Sequence, residues 1–483
     1  MYEADSHTIK AGTAGFTLMT RAGVAMAAHI KALKPQGGIV IITGPGNNGG
    51  DGWVIAKDLE KIGLNVQVIC LVDPANLKGD AKTAFESYKG GHGLQGDQSL
   101  TDLTADDIIV DSLFGVGLDR PIEGAAAELI EAINSSIAYK IAVDISSGLN
   151  SDTGDVMGCA IAANETLTVQ AMKFGHILGQ GPELSGNISI MDIGINMRAV
   201  ENPAILNEPN VWLNKLPTFS KDAHKYDKGH LIVVGGTAAM SGAARLAARA
   251  GLRMGAGLVT TACPKAALEV YAEHQLSVMT IAYDEGAYDD DVVFDEVIKS
   301  KKCSALVIGP GKGVSGETRG QVLAVLKTGL PAVLDADALS SFKGSPDELF
   351  ESLHENVVLT PHVGEFRRLF PDIDPIADPI LATKQAAKRA GCIVLLKGAA
   401  TIISDTYASV IINNHATYHL ATAGSGDVLS GIIGGLMAQK MAVFDAASAG
   451  AWIHGEAAMR LGRGLIAEDL VEELPEILRQ LLP

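Results

Sequence analysis

In the first half of the chain, short β-branched runs ending in glycine or an acid alternate with amphipathic stretches. They are GGIVIITG at 37, VQVICLV at 66, DIIVDSLFG at 107, KIAVDISSG at 140 and LTVQAM at 167. Such alternation marks parallel strands joined by helical crossovers, because parallel neighbours need a connection long enough to carry the chain back. The rhythm restarts at GHLIVVGG at 229 and continues through GLVTTACP, ALVIGPG, AVLDADA, VVLTPH and IVLLKG. Between the two series, residues 201–229 hold three prolines, many polar residues and no clear period, so they read as a linker with an entry segment. The expected fold class is α/β throughout, with one three-layer domain over residues 1–211, a second α/β domain over 212–483, and no sequence repeat between them.

Composition narrows the function classes. A chain of 483 residues, 47% of them hydrophobic, holds enough apolar material for two or three cores, which excludes disorder. Its 54 glycines and only 5% aromatics favour tight strand-to-helix turns over an aromatic-rich sandwich. The net charge is −18, and residues 1–210 carry 13 basic against 25 acidic side chains, which opposes partners such as nucleic acid or a membrane surface. Cysteines 70, 159, 263, 303 and 392 show no pairing or metal spacing and read as buried thiols of a reducing compartment. The acidic start MYEADSHTIK and the absence of an apolar run near the ~18 residues that span a bilayer predict a soluble cytoplasmic protein. Apolar surface left by two such sheets predicts a homo-oligomer.

Ligands of open parallel sheets bind beyond the strands' carboxyl ends. After IVIIT comes Gly44-Pro45-Gly46-Asn47-Asn48-Gly49-Gly50-Asp51-Gly52, which contains GxGxxG. A dehydrogenase would rest a pyrophosphate there and use an acid such as Asp73 at the next strand end. Asp51 opposes that reading, because its carboxylate competes with a phosphate for the same backbone amides. Two asparagines and an acid suit hydroxyl, amide or cation recognition better, and a plain capped glycine turn is the bland alternative. Asp111 opens a strand end followed by Gly115-Val116-Gly117-Leu118-Asp119-Arg120-Pro121, where Arg120 offers an anion contact. Asp144 ends KIAVD and leads into Ile145-Ser146-Ser147-Gly148. Asn48, Asp111 and Ser147 offer oxygen ligands to a monovalent or hard cation, and Asp144 offers acid/base chemistry. Each acid taken singly is as well explained as a cap or turn residue.

NNGGDG, DSLFGVGLDRP and VDISSGL, with Asp5 and LMTRAG at 18–23, together resemble the YjeF N-terminal family, Rossmann-like epimerases of hydrated NADH and NADPH, NAD(P)HX. Ser146 stands where that family usually has proline. The resemblance implies that residues Asn47 to Asp51 (with Gly49 and Gly50), Gly115 to Pro121 and Asp144 contact the hydrate, while Asn48, Asp111 and Ser147 coordinate K+.

In the second half, Thr422-Ala423-Gly424-Ser425-Gly426-Asp427 opens the helix-like IIGGLMAQK. Glycines let helix-start amides approach an anion, and Asp427 stands where it can take a proton from an attacking hydroxyl. A capped, closely packed helix explains GxGD equally well. Lys397-Gly398-Ala399-Ala400-Thr401 follows IVLL with donors suited to a nucleotide phosphate, and Thr360-Pro361-His362-Val363-Gly364-Glu365 follows NVVL. Gly309-Pro310-Gly311-Lys312-Gly313 and Asp335-Ala336-Asp337 share that edge; the two acids read as Mg2+ holders or as ordinary caps.

HKYDKGHLIVVGG, SGAARLAARAGLRMGAGLV, GPGKG, DADAL, TPHVGE, KGAAT and AGSGDVLSG resemble the NAD(P)HX dehydratase branch of the ribokinase-like superfamily, with Val363 and Lys312 as departures. This resemblance implies Gly313, His362 and Asp427 for the hydrate, and Lys397 to Thr401 with Gly426 for the nucleotide. It also implies ADP or ATP as phosphoryl donor, with Mg2+. The hydrate's hydroxyl is a poor leaving group, and phosphorylation would let the adjacent ring nitrogen expel it. The two resemblances in one chain imply a bifunctional enzyme, an isomerase and a lyase. The competing readings are a vitamin or sugar kinase, a dehydrogenase, and a non-catalytic binding module.

Overall fold

The computed structural model describes residues 2–94, 100, 102–197, 200, 202–274, 276–284 and 302–482. The chain divides into two compact units, Met1–Glu201 and Asn202–Pro483.

The first unit is built on seven parallel strands: β1 (Ile39–Thr43), β2 (Val66–Cys70), β3 (His92–Leu94), β4 (Ile108–Ser112), β5 (Tyr139–Val143), β6 (Glu165–Val169) and β7 (Asn187–Met191). Their spatial order is β3-β2-β1-β4-β5-β6-β7, so the direction of winding reverses between β1 and β4. β1 and β4 are buried along their whole length, as strands covered on both faces must be. One face packs Ile41 and Val110 under Trp53, Ile55 and Met26 of the helices Asn47–Lys61 and Gly15–Ala32. The other packs Val40, Ile42 and Ile109 under Leu129, Ile130 and Ile133 of the helix Ala125–Ser135.

The second unit holds β8 (Ile205–Leu206), β9 (His230–Val234), β10 (Leu258–Pro264), β11 (Met279–Tyr283), β12 (Ala305–Ile308), β13 (Ala332–Leu334), β14 (Val357–Leu359), β15 (Ile393–Leu396), β16 (Thr401–Ser404) and β17 (Val410–Asn413). The order is β11-β10-β9-β12-β13-β14-β15-β16-β17-β8, with the reversal between β9 and β12. All neighbours are parallel except the pairs that β16 makes with β15 and with β17. Small residues bring the helices Ser241–Arg253 and Ser425–Ala438 to backbone contact: a Cβ on Gly431 would lie 2.1 Å from the Ala247 carbonyl oxygen. A side chain there would force the helices apart, at a cost of about 1–3 kcal/mol.

The boundary expected near 212 falls instead after Glu201. Ile205–Leu206 adds a strand to the edge of the second sheet by pairing parallel with β17. Trp212 is fully buried in the second core, and its Nε1 donates to Asn207 Oδ1 at 3.0 Å. Asn207 in turn donates to Asn413 Oδ1 and to the Ser448 carbonyl. The polar composition of this stretch concealed a set of satisfied, buried hydrogen bonds.

Three of the five cysteines, Cys70, Cys263 and Cys392, are buried, whereas Cys159 and Cys303 are only partly so; all five are free thiols. Among the described residues no helix is long and apolar enough to cross a membrane.

Candidate active sites

The turns after β1 and β4 touch. A Cβ on Gly44 would lie 1.8 Å from the Leu113 carbonyl oxygen, and one on Gly49 would lie 2.0 Å from the Gly44 carbonyl oxygen. Only glycine fits, so the chain turns directly from β1 into the helix Asn47–Lys61 at the reversal point. Beside it opens a cleft of about 650 Å³, lined by Asn47, Asn48, Asp51, the loop Gly115 to Arg120, Asp144 and Lys173. Gly49 and Gly50, in the first turn of the helix Asn47–Lys61, pack against Gly44 and Met19, and neither they nor Pro121 line the cleft. Arg120 is exposed, where an anion can reach it. Asp73 caps the short turn Pro74–Asn76 through the Ala75 amide, so the ribose-binding acid of a dehydrogenase is otherwise employed.

Asp51 has its carboxyl proton affinity pushed well up, first by burial and then by the charge of Asp144. Asp5 also lines the cleft and is raised, chiefly by burial.

Asp111 and Ser147 are hydrogen-bonded to each other, and Asn48, which lines the cleft, is tied through its backbone to Ser112 beside Asp111. The Asp111 carboxyl is fully buried: Oδ1 accepts from Ser147 Oγ at 2.6 Å and from the Leu113 amide at 3.2 Å, and Oδ2 accepts from the Ser147 amide at 2.8 Å. Burial without a cationic partner pushes its pKa up to about 6. Asn48 is 8% exposed, and neither Oδ1 nor Nδ2 has a hydrogen-bond partner. Its backbone carbonyl accepts from Ser112 Oγ, next to Asp111. An orphaned amide oxygen, a buried acid and a hydroxyl suit an oxygen-ligated cation such as K+. Among the described residues no group of three His, Cys, Asp or Glu side chains is placed to hold a metal.

Asp144 sits at the end of β5 with φ +66°, in the left-handed region. Its Oδ1 accepts from Thr168 Oγ1 at 3.2 Å, from the Val169 amide at 3.0 Å and from Lys173 Nζ. Lys173 also donates to Thr168 Oγ1 at 2.8 Å and to the Val169 carbonyl at 3.1 Å. His176 Nδ1 accepts from the Lys173 amide at 3.1 Å, which assigns the proton to Nε2, and Nε2 donates to the Asp144 carbonyl at 3.0 Å. Burial, and then the Lys173 charge, push His176 down to about 4, so the ring is neutral. Sequence reading missed Lys173 and His176. Their only signal was position, four and seven residues beyond the end of β6.

In the second unit the helix Ser425–Ala438 starts from Gly424, whose φ of +87° favours glycine. Asp427 lies in its first turn, and burial, followed by the charge of Asp335, pushes its carboxyl up to about 7. Lys397 Nζ lies 3.5 Å from where a Cβ on Gly426 would be, under the helix start. That ammonium is also paired with Asp335 Oδ1 at 2.8 Å, while Asp335 Oδ2 accepts from Ser430 Oγ at 2.7 Å. Asp337 accepts from the Gly313 amide at 2.8 Å and holds the GPGKG turn. Both acids are therefore engaged by protein donors, which fits the ion-pair and turn roles better than a Mg2+ site made by these two. Gly398 to Ala400 form the turn between β15 and β16, with Gly398 and Ala399 exposed and Thr401 opening β16. His362 bridges to Lys397 through the backbone and caps the helix Val363–Leu369, its Nδ1 accepting from the amides of Gly364 and Glu365. Its half-exposed ring keeps Nε2 for another partner, with Glu365 Oε1 at 3.5 Å.

Residues 231–479 match a family model described as NAD(P)H-hydrate dehydratase, and residues 15–175 match one described as YjeF-related protein N-terminus. A protein of Moorella thermoacetica is 36% identical over 477 residues, covering 94% of this chain and 89% of its own. One of Salinibacter ruber is 34% identical over 515 residues, covering 99% and 94%, and one of Coxiella burnetii is 35% identical over 487 residues, covering 98% and 96%. Each of the three is named a bifunctional NAD(P)H-hydrate repair enzyme. Among solved structures, a ribokinase-like superfamily protein of Enterococcus faecalis is similar with TM-score 0.50 and 20% identity, covering 58% of this chain and 99% of that one; the likeness is one of fold.

Proposed function

This chain belongs to the bifunctional NAD(P)H-hydrate repair enzymes, and from that membership we propose how its residues divide the work. The enzyme is an isomerase and a lyase: it epimerises R- and S-NAD(P)HX in the first unit and dehydrates S-NAD(P)HX to NAD(P)H in the second. The sugar-kinase, dehydrogenase and binding-module readings fall away with that membership.

In the second unit, ADP or ATP supplies a phosphoryl group held by the start of the helix Ser425–Ala438 and by Lys397 to Thr401, and Mg2+ accompanies the nucleotide. Asp427 takes the proton of the hydrate's hydroxyl as that oxygen attacks phosphorus. The ester formed is then expelled by the ring nitrogen, and loss of a proton from the neighbouring carbon restores the reduced ring. Gly313 and His362 contact the hydrate. The observation that carries this reading is Asp427 itself, an acid poised near neutrality in the first turn of a glycine-opened helix.

In the first unit, Asn47, Asn48, Asp51, Gly115 to Arg120 and Asp144 hold the hydrate, with Asp144 as the proton carrier. Asn48, Asp111 and Ser147 would hold K+, which when bound supplies a fixed positive charge under the cleft. Five free thiols fit a cytoplasmic location, and we expect a homo-oligomer.

Purified chain incubated with mixed R- and S-NADHX, with and without ADP or ATP, tests the whole reading through recovery of NADH absorbance. Complete conversion is expected. Conversion that stalls partway removes the epimerase, and no recovery with either nucleotide removes the dehydratase.

A further inference from the structure

The donors around Asp144 are distributed unevenly, and this bears on how the hydrate is inverted. All three fall on Oδ1; among the described residues Oδ2 has no partner. The Lys173 ammonium has three protons, and its three acceptors are Asp144 Oδ1, Thr168 Oγ1 and the Val169 carbonyl. The lysine side chain is 6% exposed and that of Asp144 is 14% exposed, so the pair is shielded from water and its geometry is held from both ends. His176 closes the arrangement by joining the Lys173 amide to the Asp144 carbonyl, which fixes the left-handed backbone at residue 144.

Such an aspartate is a carboxylate with one free oxygen: a base, without a proton to give at the outset. Lys173 has no proton left to give either. Two routes invert carbon 6 of the hydrate. The hydroxyl can leave as water, which requires a donor on that oxygen and produces an iminium ion. Loss of a proton from carbon 5 of that ion would give NADH directly, with no nucleotide. Alternatively, because carbon 6 bears both the hydroxyl and the ring nitrogen, it is a hemiaminal centre and can open as a sugar hemiacetal does, by base action on the hydroxyl.

We propose that Asp144, acting through Oδ2, inverts the hydrate by opening the ring between carbon 6 and nitrogen, and that Lys173 is the positioning residue that makes this possible. The inference rests on the first unit being the epimerase. Oδ2 takes the hydroxyl proton, the oxygen–hydrogen pair becomes the second carbonyl bond at carbon 6, and the carbon–nitrogen pair goes to nitrogen. There it is delocalised through the ring's remaining double bond into the carboxamide, and Asp144 returns the proton to nitrogen. Rotation about the bond between carbons 5 and 6 turns the other carbonyl face toward nitrogen, and the same steps reversed close the ring. No atom is gained, no electron leaves, and the intermediate cannot collapse to NADH. Asp51 and Asp5, which also line the cleft and are pushed toward their protonated forms by burial, are candidate donors on the hydroxyl, and the oxygen of that group tells the two routes apart.

The full-length protein is to be given R-NADHX in oxygen-18 water without nucleotide, with and without O-methylhydroxylamine, and compared with an Asp144→Asn background. Ring opening predicts inversion with the original oxygen retained, or, if the aldehyde exchanges with water, an open-chain oxime trapped above background. One oxygen-18 gained per inversion with no oxime overturns it. Lys173→Met is expected to lower kcat for epimerisation roughly 100-fold with KM little changed, the loss typical of a displaced general base, and Lys173→Arg to restore part of it. A Lys173→Met enzyme that epimerises at the full rate removes the positioning role. If the unaltered chain does not interconvert the epimers at all while still dehydrating the S form, the assignment of the first unit fails instead.

Discussion

Lys397 and Asp335 form an ion pair of 2.8 Å between the carboxyl ends of β15 and β13, spanning the end of the intervening strand β14. Asp335 is 1% exposed. The lysine that lies under the start of the helix Ser425–Ala438 is therefore already partnered, and the phosphate proposed to bind there would share it with a buried carboxylate.

Lys397→Met should destabilise the second unit by about 3–5 kcal/mol, because it leaves Asp335 buried and uncompensated. Asp335→Asn added to it should restore most of the loss. Calorimetry of the full chain would show a transition that falls in the single variant and recovers in the double one.

Asp427, pushed up to about 7, must be ionised to accept the hydroxyl proton. Dehydration of S-NADHX at saturating nucleotide should therefore rise about tenfold per pH unit below 7 and level off above it. Asp427→Asn should lose roughly two to four orders of magnitude in kcat across that range.

Replacing choline with potassium in the buffer should raise the melting temperature of the chain and quicken epimerisation. Asn48→Ala and Asp111→Asn should abolish both responses while leaving dehydration intact. Equal melting temperatures in the two salts would count against the cation site.

His176 should make the first unit acid-sensitive. Its folded value of about 4 lies below the ordinary 6.5, so between those values the unfolded chain takes up a proton that the folded chain refuses. Stability is then fully present above pH 6.5 and falls as the pH drops toward 4, by about 2 kcal/mol at pH 5. Asp111, raised to about 6, contributes with the opposite sign, so the readout is the difference between the unaltered chain and His176→Gln in urea midpoints at pH 7.5 and 5.

The strands with long β-branched runs, β1, β2, β4, β5 and β6 of the first unit and β9, β10, β12, β13, β14 and β15 of the second, were legible because burial on both faces demands continuous apolar sequence. The strands that escaped, β3 and β7 of the first sheet and β8, β11, β16 and β17 of the second, lie at or toward the sheet edges; NISIM of β7 alternates and β8 has only two residues. Strand-end acids led directly to Asp111 and Asp144, and the glycine-rich helix start led to Asp427. The same rule placed Asp335 at the edge but could not show its pairing, since Lys397 lies 62 residues away. Lys173 was invisible for a related reason: a lysine after a strand reads as a solvated surface residue until its burial is seen.

The two-residue strand β8 has a bearing on how this chain can be taken apart. A fragment begun at residue 212, where the composition changes, would lack both Ile205–Leu206 and Asn207. The outer edge of β17 would be left bare, with backbone donors and acceptors open to strands of other molecules, and Trp212 without its acceptor. Solubility of a separately produced dehydratase should thus hinge on whether the cut is made before residue 205 or after it.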